Sequence, residues 1–156
     1  MYLALKFLHI VGVILFLGNI TTGVFWKAHA DRTRDPRLIA HVLDGIIRSD
    51  RLFTIPGVVI ILVTGIAAAL TAGLPLLRTA WIAGGIALFI FAGVAFMARV
   101  APRQRQMLAL ARSSTDPATF DWAAYERLSR SWAIWGAAAL LSPLIAAALM
   151  VFKPTW

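Results

Sequence analysis

Four apolar stretches, each of about twenty residues, dominate this chain and decide what it can fold into: residues 2–26, 52–72, 79–98 and 132–152. At 1.5 Å of rise per residue, about 20 helical residues cross the roughly 30 Å hydrocarbon layer of a bilayer. Inside that layer every backbone N–H and C=O must be satisfied within the chain, so each stretch is expected to be a helix. The expected fold is all-α: a polytopic membrane protein, one four-transmembrane-helix domain, with loops at 27–51 and 99–131. Composition agrees, since 60% of the 156 residues are hydrophobic and 14% charged; soluble domains run near 45–50% and 25%. The first stretch is too long for a signal-peptide core and has no small-residue cleavage site, so it is expected to stay in the mature protein. Residues Gly73 to Arg78 connect the second and third stretches so briefly that these must be antiparallel neighbours.

Charge placement sets the expected orientation. Lys6, Arg78 and Lys153 lie at one side, and the other twelve of the fifteen Lys and Arg fall in the two long loops. By the positive-inside rule both loops are cytoplasmic and both termini periplasmic, in a bacterial inner membrane. The +8 net charge is then topological, and no nucleic-acid partner is expected. Asp35-Pro36 and Asp116-Pro117 each read as a capping carboxylate before a first-turn proline, hence a helix start. After the first, Leu38, Ile39, Val42, Leu43, Ile46 and Ile47 form one apolar stripe, which predicts a helix lying on the membrane face. The second is expected to pass through Trp122, Tyr125 and Leu128 into the fourth span. A shift of 79 lays 55–70 over 134–149, and a shift of 72 lays Ile10, Gly12 and Ile14 over Ile82, Gly84 and Ile86, so a two-plus-two duplication is possible.

Several kinds of chemistry are excluded. Without cysteine there are no disulfides, thiolate ligands or cysteine nucleophiles. Asp31, Asp35, Asp44, Asp50, Asp116, Asp121 and Glu126 all fall in the loops, which argues against carriers that run on intramembrane carboxylates. Signatures of zinc proteases, serine hydrolases and P-loops are missing.

What remains is the first helix. Leu5, His9, Gly12, Phe16, Asn19 and Gly23 share one face, and an imidazole in hydrocarbon needs a hydrogen bond or a metal. Neutral imidazole is a common axial ligand of haem iron, and Gly12, one turn from His9, would leave room for a macrocycle. Lys6, one turn outward, could pair with a propionate or snorkel to head groups; Arg78 and Lys153 share that choice. His9 and Asn19 could instead hydrogen-bond across a helix interface, and packing is the simpler reading of Asn19 with Gly23. His29 and His41 are expected in solvent and Met97 in packing. Pro56-Gly57 and Ser142-Pro143 should kink the second and fourth helices.

The segments Leu5-Lys6-Phe7-Leu8-His9-Ile10-Val11-Gly12, Arg51-Leu52-Phe53-Thr54-Ile55-Pro56-Gly57 and Pro102-Arg103-Gln104 resemble a bacterial membrane family catalogued as domain of unknown function 2269, over the whole chain. More distantly, the stretch around His9 and the ending Val151-Phe152-Lys153-Pro154 are similar to HemJ-type protoporphyrinogen oxidases and the copper-resistance D family. That resemblance implies haem b at His9. It departs where the HemJ-type pattern has a histidine and a lysine and this chain reads Trp81-Ile82-Ala83-Gly84.

The expected function is haem b binding, with His9 as metal ligand and Gly12, Lys6 and Asn19 around the cofactor, for electron transfer or haem-linked redox work with a quinone or periplasmic partner. If the chain is an enzyme, it is an oxidoreductase. The alternative is a cofactor-free accessory or assembly subunit docking a larger membrane complex, or another copy of itself, through Gly12, Gly23, Gly84, Gly85 and Gly93. Copper handling ranks third, because Met and Cys ligands are scarce.

Overall fold

The computed structural model describes residues 1–113 and 116–154. Helix α1 (Tyr2–Thr33) is followed by α2 (Pro36–Ser49), a π-turn at Asp50–Thr54, α3 (Ile55–Thr71), α4 (Ala80–Ala95), a second π-turn at Phe96–Val100, α5 (Ala101–Ser113) and α6 (Trp122–Phe152). The π-turns do not interrupt the rods, so four continuous helices of 32, 36, 34 and 31 residues result, each long and apolar enough to cross a membrane. The chain is an all-α four-helix bundle. Rods of about 45–55 Å exceed the roughly 30 Å of hydrocarbon. One end therefore projects beyond it: the end formed by α2, α5 and the adjoining turns of α1 and α6, here the basic end. The other holds both termini and the α3–α4 turn, here the terminal end.

Sequence and structure differ at the basic end. Residues 27–51 and 99–131 are largely helical extensions of the spans rather than loops. Helix α2 does not lie on a membrane face. It continues through the π-turn into α3, which sets its direction, and so it stands along the bundle. Its stripe residues Ile39, Leu43 and Ile46 are buried. Ile39 and Leu43 join Ala30, Val100, Met107, Ala111, Phe120, Tyr125 and Trp132 in one core. Asp35 does start α2: its side chain accepts from the Arg37 N–H at 2.8 Å, with Pro36 in the first turn. Asp116-Pro117 does not start a helix. Asp116 accepts from the Ala118 N–H at 2.9 Å to cap a turn, and α6 begins at Trp122, where Asp121 accepts from the Ala124 N–H at 2.8 Å. From there α6 runs unbroken, as expected.

Both π-turns end two residues before a proline, Pro56 and Pro102. A proline inside a helix lacks the N–H its i−4 carbonyl needs, and its ring crowds that carbonyl. A single widened turn lets the rod absorb this, closing with Ile55 N–H to the Asp50 carbonyl and Ala101 N–H to the Phe96 carbonyl. Between α3 and α4, Gly73 adopts φ 67°. Its N–H reaches the Leu70 carbonyl and Leu74 N–H the Ala69 carbonyl, both at 3.0 Å, the paired bonds of a Schellman stop for which a left-handed residue is required.

Within the membrane the bundle is two hairpins, α1 on α3 and α4 on α6, with little contact between them. Glycines permit each close approach: a Cβ at Gly12 would lie 2.9 Å from Ile60, and one at Gly85 2.9 Å from Met150. The hairpins join at the basic end, where α2 packs on α5. This pairing suits a two-plus-two arrangement, but the π-turns fall in the second and third rods, at positions the 79- and 72-residue shifts do not relate.

Candidate functional site

Because the hairpins are clamped at one end and barely touch at the other, an apolar cavity of about 290 Å³ lies between them at the terminal end. Phe16 and Phe89, from opposite hairpins, meet with ring centroids 5.6 Å apart and close its floor. Its walls include Ile61, Gly65, Ile82, Gly85, Pro143 and Met150, and Tyr2, Lys6, Trp81 and Lys153 line it nearest the chain ends.

His9 is half-buried in the wall. Its Nδ1 lies 2.9 Å from the Ile61 carbonyl oxygen. A carbonyl only accepts, so Nδ1 carries a proton, and in the neutral imidazole Nε2 is the nitrogen with the free lone pair. Among the described residues Nε2 has no partner. The ring occupies the space left by Gly65, where a Cβ would come within 2.8 Å of it. This is how the second nitrogen of a metal-binding histidine is usually held, by a backbone carbonyl that fixes tautomer and ring plane. Lys153 takes a left-handed conformation, φ 45°, ending α6, and its Nζ lies 5.5 Å from the Trp81 ring centroid. Lys6 and Lys153 thus flank one opening.

Of the four residues expected around a cofactor, His9 and Lys6 share the cavity and the other two do not. Gly12 leaves no room for a macrocycle, since Ile60 and Ile61 of α3 fill the space above it. Asn19 lies deeper, in a polar crosspiece, where its Nδ2 donates to Asp50 Oδ1 at 3.2 Å and Thr54 Oγ1 at 2.9 Å. Thr54 donates to Asp50 Oδ1 at 3.0 Å, and Gln104 Nε2 donates to Asp50 Oδ2 at 3.2 Å. Asp50 is therefore no solvated loop carboxylate. It is buried among α1, the first π-turn and α5, tying the hairpins together. A second network lies nearer the basic end: Lys27, 3% exposed, donates to Asp31 at 2.6 Å and to Ser129 at 2.7 Å, while the Tyr125 hydroxyl donates to Asp31 at 2.6 Å.

Met97 points outward, 68% exposed, rather than packing. Met150, one turn before Lys153, is the methionine that lines the cavity. Gly65 and Met150 were legible only as members of apolar helices, and nothing in their spacing marks them as cavity residues. His41 is exposed, as expected, and His29 stacks on Phe25 with centroids 6.3 Å apart. Gly84 and Gly85 face Leu149 and Met150 inside the bundle and Gly23 faces Ile46, whereas a Cβ at Gly93 would meet nothing. Four of the five glycines suggested for docking thus serve internal contacts. Among the described residues no group of three or more His, Cys, Asp or Glu could hold a metal ion, so copper has no built site of that kind.

The family model described as "Predicted integral membrane protein (DUF2269)" matches residues 3–154. The chain belongs to this family. No curated protein and no solved structure matches it, so the likeness to HemJ-type proteins rests on the stretches quoted above. Family membership carries the bilayer as environment and no activity.

Proposed function

We propose that this membrane protein binds haem b in the cavity at the terminal end, with His9 Nε2 as axial ligand, and serves electron transfer or haem-linked redox work. The observation that carries this reading is His9 itself: Nδ1 donates to the Ile61 carbonyl, and Nε2 has no partner among the described residues beside an apolar cavity. The surrounding residues fit the group in kind. Lys6 and Lys153 at the opening suit two propionates, and aromatic and aliphatic walls suit the macrocycle. Met150, on the facing hairpin, lines the same cavity and would add a thioether to its wall. Haem would supply a one-electron couple near one membrane face, within reach of a quinone or a periplasmic partner. The cavity's about 290 Å³ sits at the lower edge of the roughly 300–1,000 Å³ usual for ligand sites, so a macrocycle requires the hairpins to part, and their sparse contact there permits it.

That small volume also favours a second reading, in which the same cavity takes one chain of an anion-headed amphiphile. Absorption spectra of the detergent-purified wild type and His9→Ala, oxidised and dithionite-reduced after haem reconstitution, separate the two. A Soret band with reduced α and β bands in the wild type, lost in a still monodisperse variant, is the expected result. No band in the wild type, or one indifferent to His9→Ala, overturns haem ligation and leaves the amphiphile.

A further inference from the structure

A second concavity, of about 590 Å³, lies between α2 and α5 at the basic end, lined by Asp44, Ile47, Arg48, Arg51, Arg105, Leu108, Ala109 and Arg112. Four guanidinium groups converge on it with one carboxylate. The two oxygens of Asp44 are divided between Arg48, at 2.7 Å, and Arg112, at 3.0 Å. Arg51 and Arg105 have no ion pair among the described residues. We infer that this concavity is a binding site for a phosphate-bearing anion, supplied by an acidic phospholipid of the adjoining leaflet.

Topology explains why arginines are numerous at this end, but it asks only for their number and not for their gathering in one concavity, and three of the cations outside it have partners of their own. Arg34 pairs with Glu126 at 2.9 Å and stacks on Trp122, Arg99 stacks on Trp135, and Lys27 is held by Asp31. Between α2 and α5 four arginines line one concavity with a single acid, leaving an excess of three positive charges. Guanidinium forks match phosphate oxygens two at a time. The source follows from position. Arg51 lies in the π-turn, next to the first residue of the second apolar stretch, so the concavity reaches down to head-group level. Ile47, Leu108 and Ala109 give it an apolar floor against which glycerol or acyl carbons can lie. Basic pockets of this kind between membrane helices suit lipid head groups.

The test titrates the full chain in neutral detergent with phosphatidylglycerol, phosphatidylcholine or pyrophosphate and reads the bound fraction by native mass spectrometry. The double variant Arg51→Gln/Arg105→Gln is compared with Arg37→Gln/Arg130→Gln, which removes equal charge from the same end outside the concavity. Phosphatidylglycerol should be retained over phosphatidylcholine, and the first double variant should weaken that retention about tenfold or more while the second leaves it nearly unchanged. Pyrophosphate bound in place of lipid, with the same sensitivity, supports the phosphate site and overturns the lipid source. Equal weakening by both double variants, or by neither, overturns the site. Arg51 and Arg105 are exposed and have no ion pair among the described residues, so their loss leaves the fold intact, which an unchanged helical circular dichroism spectrum checks.

Discussion

The two ends of this bundle are built from the same four helices by different rules. At the basic end the helices leave the hydrocarbon, apolar side chains are driven together by water, and the core closes around Leu43, 1% exposed, and Met107, 0% exposed. At the terminal end the surrounding lipid is as apolar as the side chains. Nothing there drives Leu, Ile and Phe inward, and contact depends on glycines that let helices approach. The result is a clamped end and an open one, with the Asp50 crosspiece between. In this family member the tight core lies outside the membrane and the cavity inside it.

The largest expected effect tests that asymmetry. Met107→Ala should cost about 2–5 kcal/mol of stability, because it removes a fully buried side chain where the hydrophobic effect operates in full. Ile14→Ala, on a side chain 64% exposed to lipid, should cost far less. Equilibrium unfolding in mixed micelles, followed by circular dichroism, measures both. Equal losses would mean that the basic end is no better packed than the rest.

Next in size is the crosspiece. Asp50→Ala strips the common acceptor from Asn19, Thr54 and Gln104, and buried donors left without partners cost about 1–3 kcal/mol. Asp50→Asn, which keeps an oxygen in place, should cost less. Because Gln104 belongs to one hairpin and Asn19 to the other, the alanine variant should also loosen the hairpins. A cysteine pair placed across α1 and α4, on an Asp50→Ala background, would form a disulfide more slowly than on the wild type if the crosspiece sets their spacing. An unchanged rate would assign the clamp to the α2–α5 core alone.

How far these features were legible in the sequence follows from the same physics. Span number, the helical connection of α2 to Asp35, the inward face of α1 and the uninterrupted α6 were readable, because each rests on composition, periodicity or a capping residue close in sequence. Asp50 was read as a loop carboxylate because its neighbours Arg48, Ser49 and Arg51 are polar. Beyond Thr54, one turn on, its partners Asn19 and Gln104 lie 31 and 54 residues away, and no local pattern marks such pairs. The stripe of α2 was correctly read as apolar but assigned to lipid rather than to α5, since an amphipathic helix looks the same whichever surface covers it. Gly12 next to His9 suggested space. In the structure the neighbouring helix takes that space, and the glycine that matters to the imidazole is Gly65, on another helix.

Gly65→Ala therefore sharpens the account of the open end. The added methyl would sit 2.8 Å from the His9 ring, so the ring must turn and its bond to the Ile61 carbonyl must lengthen or break. Overpacking against a side chain able to move should cost about 1 kcal/mol, the low end for such changes. The larger consequence is for binding: under the proposed haem reading, a misaimed Nε2 should weaken haem uptake well beyond that stability loss. Parallel haem titration and unfolding of Gly65→Ala check this. Unaltered uptake would mean that the orientation of His9 does not matter to the cavity's ligand.

The smallest effect separates the two environments at the same chemical change. A Cβ at Gly45, on α2, and one at Gly93, on α4, would both meet nothing within 4 Å, so neither alanine can gain or lose a packing contact. What differs is the reference state. Gly45 is exposed at the end that leaves the bilayer, where an unfolded α2 gains backbone freedom in water. Alanine should restrict that freedom and stabilise the fold by about 0.5–1 kcal/mol. Gly93 faces lipid, where a separated helix stays helical because its backbone has no other way to satisfy its hydrogen bonds. The entropy alanine would remove is then already absent, and Gly93→Ala should shift stability by close to nothing. A gain at Gly93 equal to that at Gly45 would mean that the two ends unfold into the same solvent, and that the division between a water-driven clamp and a lipid-tolerant cavity is misplaced.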